Sequence, residues 1–392
     1  MARLRRGEFL GSAAAFGAAS LAMPAGAAGN YGDLPIAGTV TIGVVAPFTG
    51  DSIHLGEQLG NGVRAAIDDI NQLRGTLDKA FVLRPFDDQN LLATGLQSAE
   101  FACDDATIVC VIGHLSGKIT DAALKTYVNN DMPVIVPATT YDPITSHGYG
   151  SVLRLSTKDS TEGRLTARSA EALKPANAVV LYQDGDYGLD VAAGFHNQLL
   201  ADKVTSKALG FSWSAPDFAG VAKAALDSKP DVIYMAGVVK DMGGMIPALH
   251  AAGYTGPLYA SQGFFDALTV SKYGAAAEGL IVSSSMPPLQ LAPSDFRVRN
   301  NFQLKYGAMT PLSTFAYAAA QIAIAGVHRT GATDRIGVAR SLSYATPFDT
   351  VLGSMTFQND GDPSNPNVYF YTIKNGAWSY LRASHKTEFI LK

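Results

Sequence analysis

Along the chain, short runs of β-branched and apolar residues alternate with longer stretches in which apolar positions recur every three or four residues. TVTIGVVAP, residues 39–47, reads as a buried strand, and 56–73 follows with Val63, Ala66, Ile67 and Ile70 on one helical face. The unit recurs as strand 81–88 with helix 93–104, strand 107–113 with helix 118–130, and strand 132–138. A second series pairs strand 177–182 with helix 189–201, strand 207–212 with helix 218–228, and strand 231–237 with helix 240–252, then closes on strand 257–261. Such alternation predicts an α/β protein with parallel sheets covered by helices on both faces.

The connections predict the organisation. SVLRLSTKDS, residues 151–160, lies between the two series, and GLIVSSSMPP, residues 279–288, follows the second. Helices at 294–306 and 311–330 then lead to a third candidate crossing near 349–357 and a final strand at 368–373. Two lobes joined by three crossings place a ligand cleft between the carboxyl ends of their sheets. The expected partition is 39–152 plus 284–350 for lobe 1 and 153–283 plus 351–392 for lobe 2.

Composition narrows the class. The 392 residues are 47% hydrophobic and 16% charged, so real cores are affordable and disorder is excluded for most of the chain. With 30 basic against 34 acidic residues, the chain lacks the cationic excess that nucleic acid requires. Arg3, Arg5 and Arg6 precede an apolar stretch at 9–23 and the small-residue run PAGAAG at 24–29, the layout of a secretory signal peptide spanning 1–27. Without that leader the charge becomes −6. Two residues separate Arg6 from Phe9 where a twin-arginine signal has one, which leaves the general secretory and twin-arginine routes both open. No cysteine follows the apolar run, so no lipid anchor is expected, and no later stretch is long and apolar enough to span a bilayer. Cys103 and Cys110 fit either a disulfide or two buried thiols.

Catalytic signatures are missing. GHLSGKIT, residues 113–120, has three residues between its glycines rather than the four of a phosphate-binding loop, with Ile119 where the metal-binding hydroxyl belongs. Seven histidines are scattered without metal-ligand spacing, and YASQG at 259–263 lacks the leading glycine that would make Ser261 a nucleophile. No cofactor, metal or catalytic residue is expected.

TIGVVAPFTGD (41–51), VIGHLSG (111–117), VPATTYDPIT (136–145), YQDGDYG (182–188) and AEGLIVS (277–283) occur in an order that resembles type I periplasmic binding proteins, nearest the leucine/isoleucine/valine-binding branch of ABC-importer receptors. The resemblance runs from about Thr39 to the C-terminus. It implies two Rossmann-like lobes that close by a hinge motion on a small amino acid or organic carboxylate or amide. It also implies a periplasmic monomer that delivers its ligand to membrane permease subunits. A ligand-sensing receptor on the same fold is the alternative, and an exported hydrolase is a more distant one.

The resemblance also assigns a site. Ser116, Gly117 and Lys118 match the turn that holds a ligand carboxylate, where a helix N-terminus favours an anion. The family's binding serine aligns with Gly117, which leaves Ser116 as either a contact or a helix cap. Thr140 through its hydroxyl and Thr139 through its carbonyl match the second turn, with turn stabilisation as the other reading. Tyr187 matches a cleft tyrosine from the second lobe. Gln262 stands where the family has an acid that meets the ligand ammonium, Leu55 replaces a tyrosine, and Val238 and Val239 replace an aromatic pair. His54 is a further candidate, equally suited to helix capping. Losing the acid points away from α-amino acids unless Asp184, Asp186 or Asp266 restores the charge, and Lys118 tilts the cleft further toward anions.

Overall fold

The computed structural model describes residues 38–72, 79–212, 216–288, 296–342 and 346–384; the expected signal peptide lies outside them. Five parallel strands make the first sheet: β1 (Thr39–Ala46), β2 (Ala80–Asp87), β3 (Ile108–Gly113), β4 (Val134–Val136) and β5 (Val152–Arg154), in the order β2-β1-β3-β4-β5. From Val40 to Ala46 every residue of β1 is buried, as a central strand covered on both faces requires. One face packs on helices Ile53–Gln72 and Pro311–Thr330, which approach so closely that a Cβ on Gly62 would lie 2.7 Å from the Cβ of Ala316. Helix Pro311–Thr330 is cleanly bounded by a Thr310–Ser313 capping box, Pro311 in its first turn and Gly331 at φ 65° after its end.

The second sheet is mixed. It contains β6 (Asn177–Gln183), β7 (Thr205–Phe211), β8 (Val232–Ala236), β9 (Leu258–Ala260) and β10 (Ile281–Ser284). The ribbon β11 (Phe348–Thr350) and β12 (Gly353–Met355) stands apart, and β13 (Tyr369–Lys374) and β14 (Ala377–Ala383) complete the larger sheet in the order β14-β13-β10-β9-β8-β6-β7. The expectation of parallel sheets therefore holds for β6 to β10, whereas β13 and β14 run antiparallel. A hairpin at Asn375-Gly376, both with positive φ, turns β13 back into β14.

Two other elements differ from expectation. The single helix predicted at 240–252 is divided by Gly243 and Gly244 into Val239–Met242 and Met245–Ala251. The segment near 349–357 forms the β11–β12 ribbon, whose Phe348 and Val351 join the first core while the Val351 amide donates to Gln321. The chain thus passes between the sheets after Arg154, again at Ser284 to Met286, and finally between Phe357 and Val368. Among the described residues no single helix is long and apolar enough to cross a membrane.

Candidate ligand cleft

Two backbone turns and two helix starts surround a cavity of about 430 Å³ between the sheets. From the first sheet come the turn after β3, Leu115 to Lys118, and the turn after β4, Ala138 to Tyr141; Asp159, Asp186 and Tyr187 come from the helices flanking the second sheet. Those helices, Asp159–Glu171 and Asp186–Ala201, cross unusually closely. A Cβ on Gly163 would lie 2.0 Å from the Val191 carbonyl, and one on Gly194 would lie 2.1 Å from the Ser160 carbonyl. This close crossing carries Asp159 and Tyr187 to the same wall.

The two turns of the first lobe are fastened to each other and to the core. His114 is fully buried, with Nδ1 2.8 Å from Asp88 and Nε2 3.0 Å from the Tyr127 hydroxyl. The Thr139 hydroxyl donates to the Leu115 carbonyl at 3.0 Å, and the Thr139 carbonyl accepts from Ser156 at 2.9 Å. Thr139 therefore joins the turns rather than offering a free hydroxyl. Ser116 caps helix Gly117–Asn129 by accepting from the Ile119 amide at 3.5 Å, while its side chain still lines the cavity. A Cβ on Gly117 would lie 2.4 Å from the Cβ of Tyr141. The space a serine would need is thus occupied by Tyr141, a lining residue that sequence reasoning missed.

Several charge assignments change. Lys118 pairs with Asp186 at 2.8 Å across the cleft mouth, and the side chains remain 73% and 48% exposed. Its positive charge is answered there, so it does not bias the cavity toward anions. Asp184 is exposed, and Asp266 caps helix Ala267–Tyr273 by accepting from the Leu268 amide at 2.7 Å. Gln262 is turned away from the cavity, since its side-chain oxygen accepts from the Ser285 amide and hydroxyl at 2.6 and 2.7 Å. Val239 belongs to the second core, and neither half-buried Leu55 nor exposed His54 lines the cavity.

The buried acid of the cavity wall is Asp159, for which sequence reasoning gave no role. Only 2% exposed, it lines the cavity with an Oδ1 that has no hydrogen-bond partner. Burial pushes its carboxyl well above the ordinary range, and the Thr140 hydroxyl, which pulls the other way, does not offset it. Across the wall, the Tyr187 hydroxyl accepts from the Gly263 amide at 3.0 Å, leaving its proton directed elsewhere. The cavity can therefore offer Tyr187 and the free amides of a helix start to a carboxylate, and Asp159 to a cation. Asp142 and Asp190 lie close to Asp159, and Asp142 is occupied by the Ser160 amide at 3.0 Å and its hydroxyl.

Beneath this wall, buried Glu162 accepts from the Gln262 amide at 2.7 Å and the Ser283 hydroxyl at 2.6 Å. Burial raises its carboxyl from 4.5 to about 7 despite these bonds. A raised carboxyl stabilises the fold fully below about pH 4.5 and loses that contribution as pH rises through 7. Replacing Glu162 with Gln preserves an acceptor and removes the titration. In denaturant unfolding, the stability difference between the two proteins should change by about 3 kcal/mol between those limits. Glu171 is also raised to about 7, by burial and Asp202, but is common to both proteins and cancels.

Ser261 donates to the Gly237 carbonyl at 2.9 Å and accepts from the Gly237 amide at 3.0 Å, so its fully buried hydroxyl is committed to the backbone. Cys103 and Cys110 are both free and buried, with thiols pushed up by burial to about 11 and about 12.

The fold is similar to that of known proteins. A Leu/Ile/Val-binding protein homolog 3 of Brucella melitensis is 24% identical over 345 residues, covering 86% of this chain and 92% of that protein. The fold matches an ABC transporter substrate-binding protein from Desulfitobacterium hafniense in complex with Leu, with TM-score 0.73, 24% identity, and coverage of 88% of this chain and 100% of that one. It also matches a solute-binding protein of R. palustris in complex with benzoate, with TM-score 0.70, 19% identity, and coverage of 88% and 96%. The sequence profile described as periplasmic binding protein matches residues 39–377, and the chain belongs to that family.

Proposed function

We propose that this chain is the periplasmic solute receptor of an ABC importer and that its cleft captures an aliphatic α-amino acid of the branched-chain type. The observation that carries the reading is Asp159, a buried carboxylate whose Oδ1 is unpartnered at the cavity wall. An ammonium beside it would supply the missing partner, since a buried carboxylate is tolerated in its ionised form only when paired. Tyr187 and the helix start at Gly117 would receive the ligand carboxylate, and Leu115, Ala138 and Tyr141 would meet its side chain. The Leu/Ile/Val-binding relative and the Leu-bound structural neighbour support the same ligand class.

In this reading the first lobe comprises residues 38–154 with 286–357, and the second 159–284 with 368–384; ligand bridges them and favours closure. Residues 1–27 serve as the export signal, and the closed form docks on permease subunits. A ligand that binds only the folded state raises stability by about 2.7 kcal/mol at 100 times its Kd. A thermal-shift screen should therefore show leucine, isoleucine and valine stabilising the protein, with no product formed on prolonged incubation. Stabilisation by benzoate or aliphatic acids alone would replace this reading with that of an organic-acid receptor.

A further inference from the structure

A second cavity, of about 530 Å³, lies where the three crossing segments run together, and it shares no lining residue with the cleft. Thr157 comes from the first crossing, Ser285 from the second, and Thr356 and Ser364 from the third. Leu155, Phe315 and Leu352 give it an apolar wall. Arg164 of helix Asp159–Glu171 faces the same space.

The chemistry of this lining is one-sided. Arg164 is half-buried and has no hydrogen bond or ion pair among the described residues. Burial depresses its pKa, and Arg168, of like charge, depresses it further. The side chains of Ser354, Thr356 and Ser364 also make no hydrogen bond among the described residues. Among the described residues no carboxylate lines the cavity. The nearest along the chain, Asp362, is occupied by Arg154 at 2.7 Å and Lys158 at 2.7 Å.

A half-buried guanidinium without a counter-ion, flanked by uncommitted hydroxyls and an apolar wall, matches an anion that carries an apolar body. A single guanidinium suits a monoanion, and its planar fork matches a carboxylate bidentately. We infer that this hinge cavity is a second binding site, for a small monocarboxylate with an aliphatic chain, held at its charged end by Arg164.

Hexanoate and its neutral analogue hexanamide probe the site by calorimetric titration into the mature full chain. Hexanoate should bind, hexanamide should bind about tenfold more weakly or worse, and Arg164→Gln should impose a similar loss on hexanoate. Arg164→Lys should recover part of the affinity, which a merely destabilised protein would not do. Tyr187→Phe, in the cleft, should leave hexanoate binding unchanged, and Arg164→Gln should leave leucine binding unchanged, so the two sites are tested separately. The inference is overturned by the absence of hexanoate binding at millimolar concentration, or by equal binding to Arg164→Gln. Equal binding of hexanamide, or loss in Tyr187→Phe, would equally overturn it.

Discussion

Replacing Asp159 with Asn should weaken leucine binding about 100-fold, the scale of a charge-assisted hydrogen bond lost in a buried site. The same change should leave 4-methylpentanoate, which has leucine's carbon skeleton but no ammonium, within about twofold of its wild-type affinity. The contrast follows from geometry. Asp159 is the buried carboxylate of the cavity wall with an unsatisfied oxygen, whereas Asp186 is committed to Lys118 at the mouth. The pH dependence has a definite sign. Burial holds Asp159 protonated above the ordinary carboxylate range, so an arriving ammonium must expel that proton. Leucine affinity should therefore rise with pH until the free protein has ionised, with proton release detectable as a buffer-dependent binding enthalpy. Asp159→Asn should abolish both effects.

The second large effect concerns the hinge. Arg154 is fully buried at the end of β5, where Nε and Nη2 donate to Asp362 at 3.0 and 2.7 Å and Nη1 donates to the Thr140 and Tyr141 carbonyls at 3.1 and 2.6 Å. Asp362 thereby ties the third crossing to the turn that forms the cleft wall. Asp362→Ala leaves a buried guanidinium without its counter-ion, and should cost about 3–5 kcal/mol of stability in denaturant unfolding. Ligand affinity should fall with it, because Arg154 would no longer be held against the Thr140–Tyr141 turn. Burial alone would raise the Asp362 carboxyl, but Arg154 and Lys158 outweigh burial and hold it below its ordinary value. A depressed carboxyl stabilises the fold above its unfolded pKa, near 4, and loses that contribution as pH falls through its lower folded value. Acid sensitivity in that window should be smaller in the variant.

The alternating pattern made the parallel strands and their helices legible because the central strands β1, β3 and β8 are buried on both faces and read as continuous apolar runs between helical stretches. The hairpin β13–β14 carried its signal in Asn375-Gly376, yet the strand after it, AWSYLRA, is only partly buried and lacks a clean apolar run. Of the candidate site, Ser116, Gly117, Lys118, Thr139, Thr140 and Tyr187 all line the cavity. They sit in turns that directly follow strands or open helices, where motif order and spatial order coincide. Gln262 was misplaced because its orientation depends on Ser285, 23 positions away and beyond β10. Asp159 fell within the 151–160 segment, which was legible only as a connection between the two series; the close Gly163–Gly194 helix crossing brings it to the cavity wall, buried. The Arg154–Asp362 pair, 208 residues apart, leaves no local trace at all.

In the proposed reading the cleft recognises a carboxylate and an ammonium together. Calorimetric titration of the mature Arg164→Gln protein, in which the hinge cavity no longer competes for carboxylates, with leucine and, separately, with 4-methylpentanoate isolates the cleft. One leucine should bind per chain, with proton release, and 4-methylpentanoate should bind about 100-fold more weakly. Equal or tighter binding of 4-methylpentanoate would contradict it.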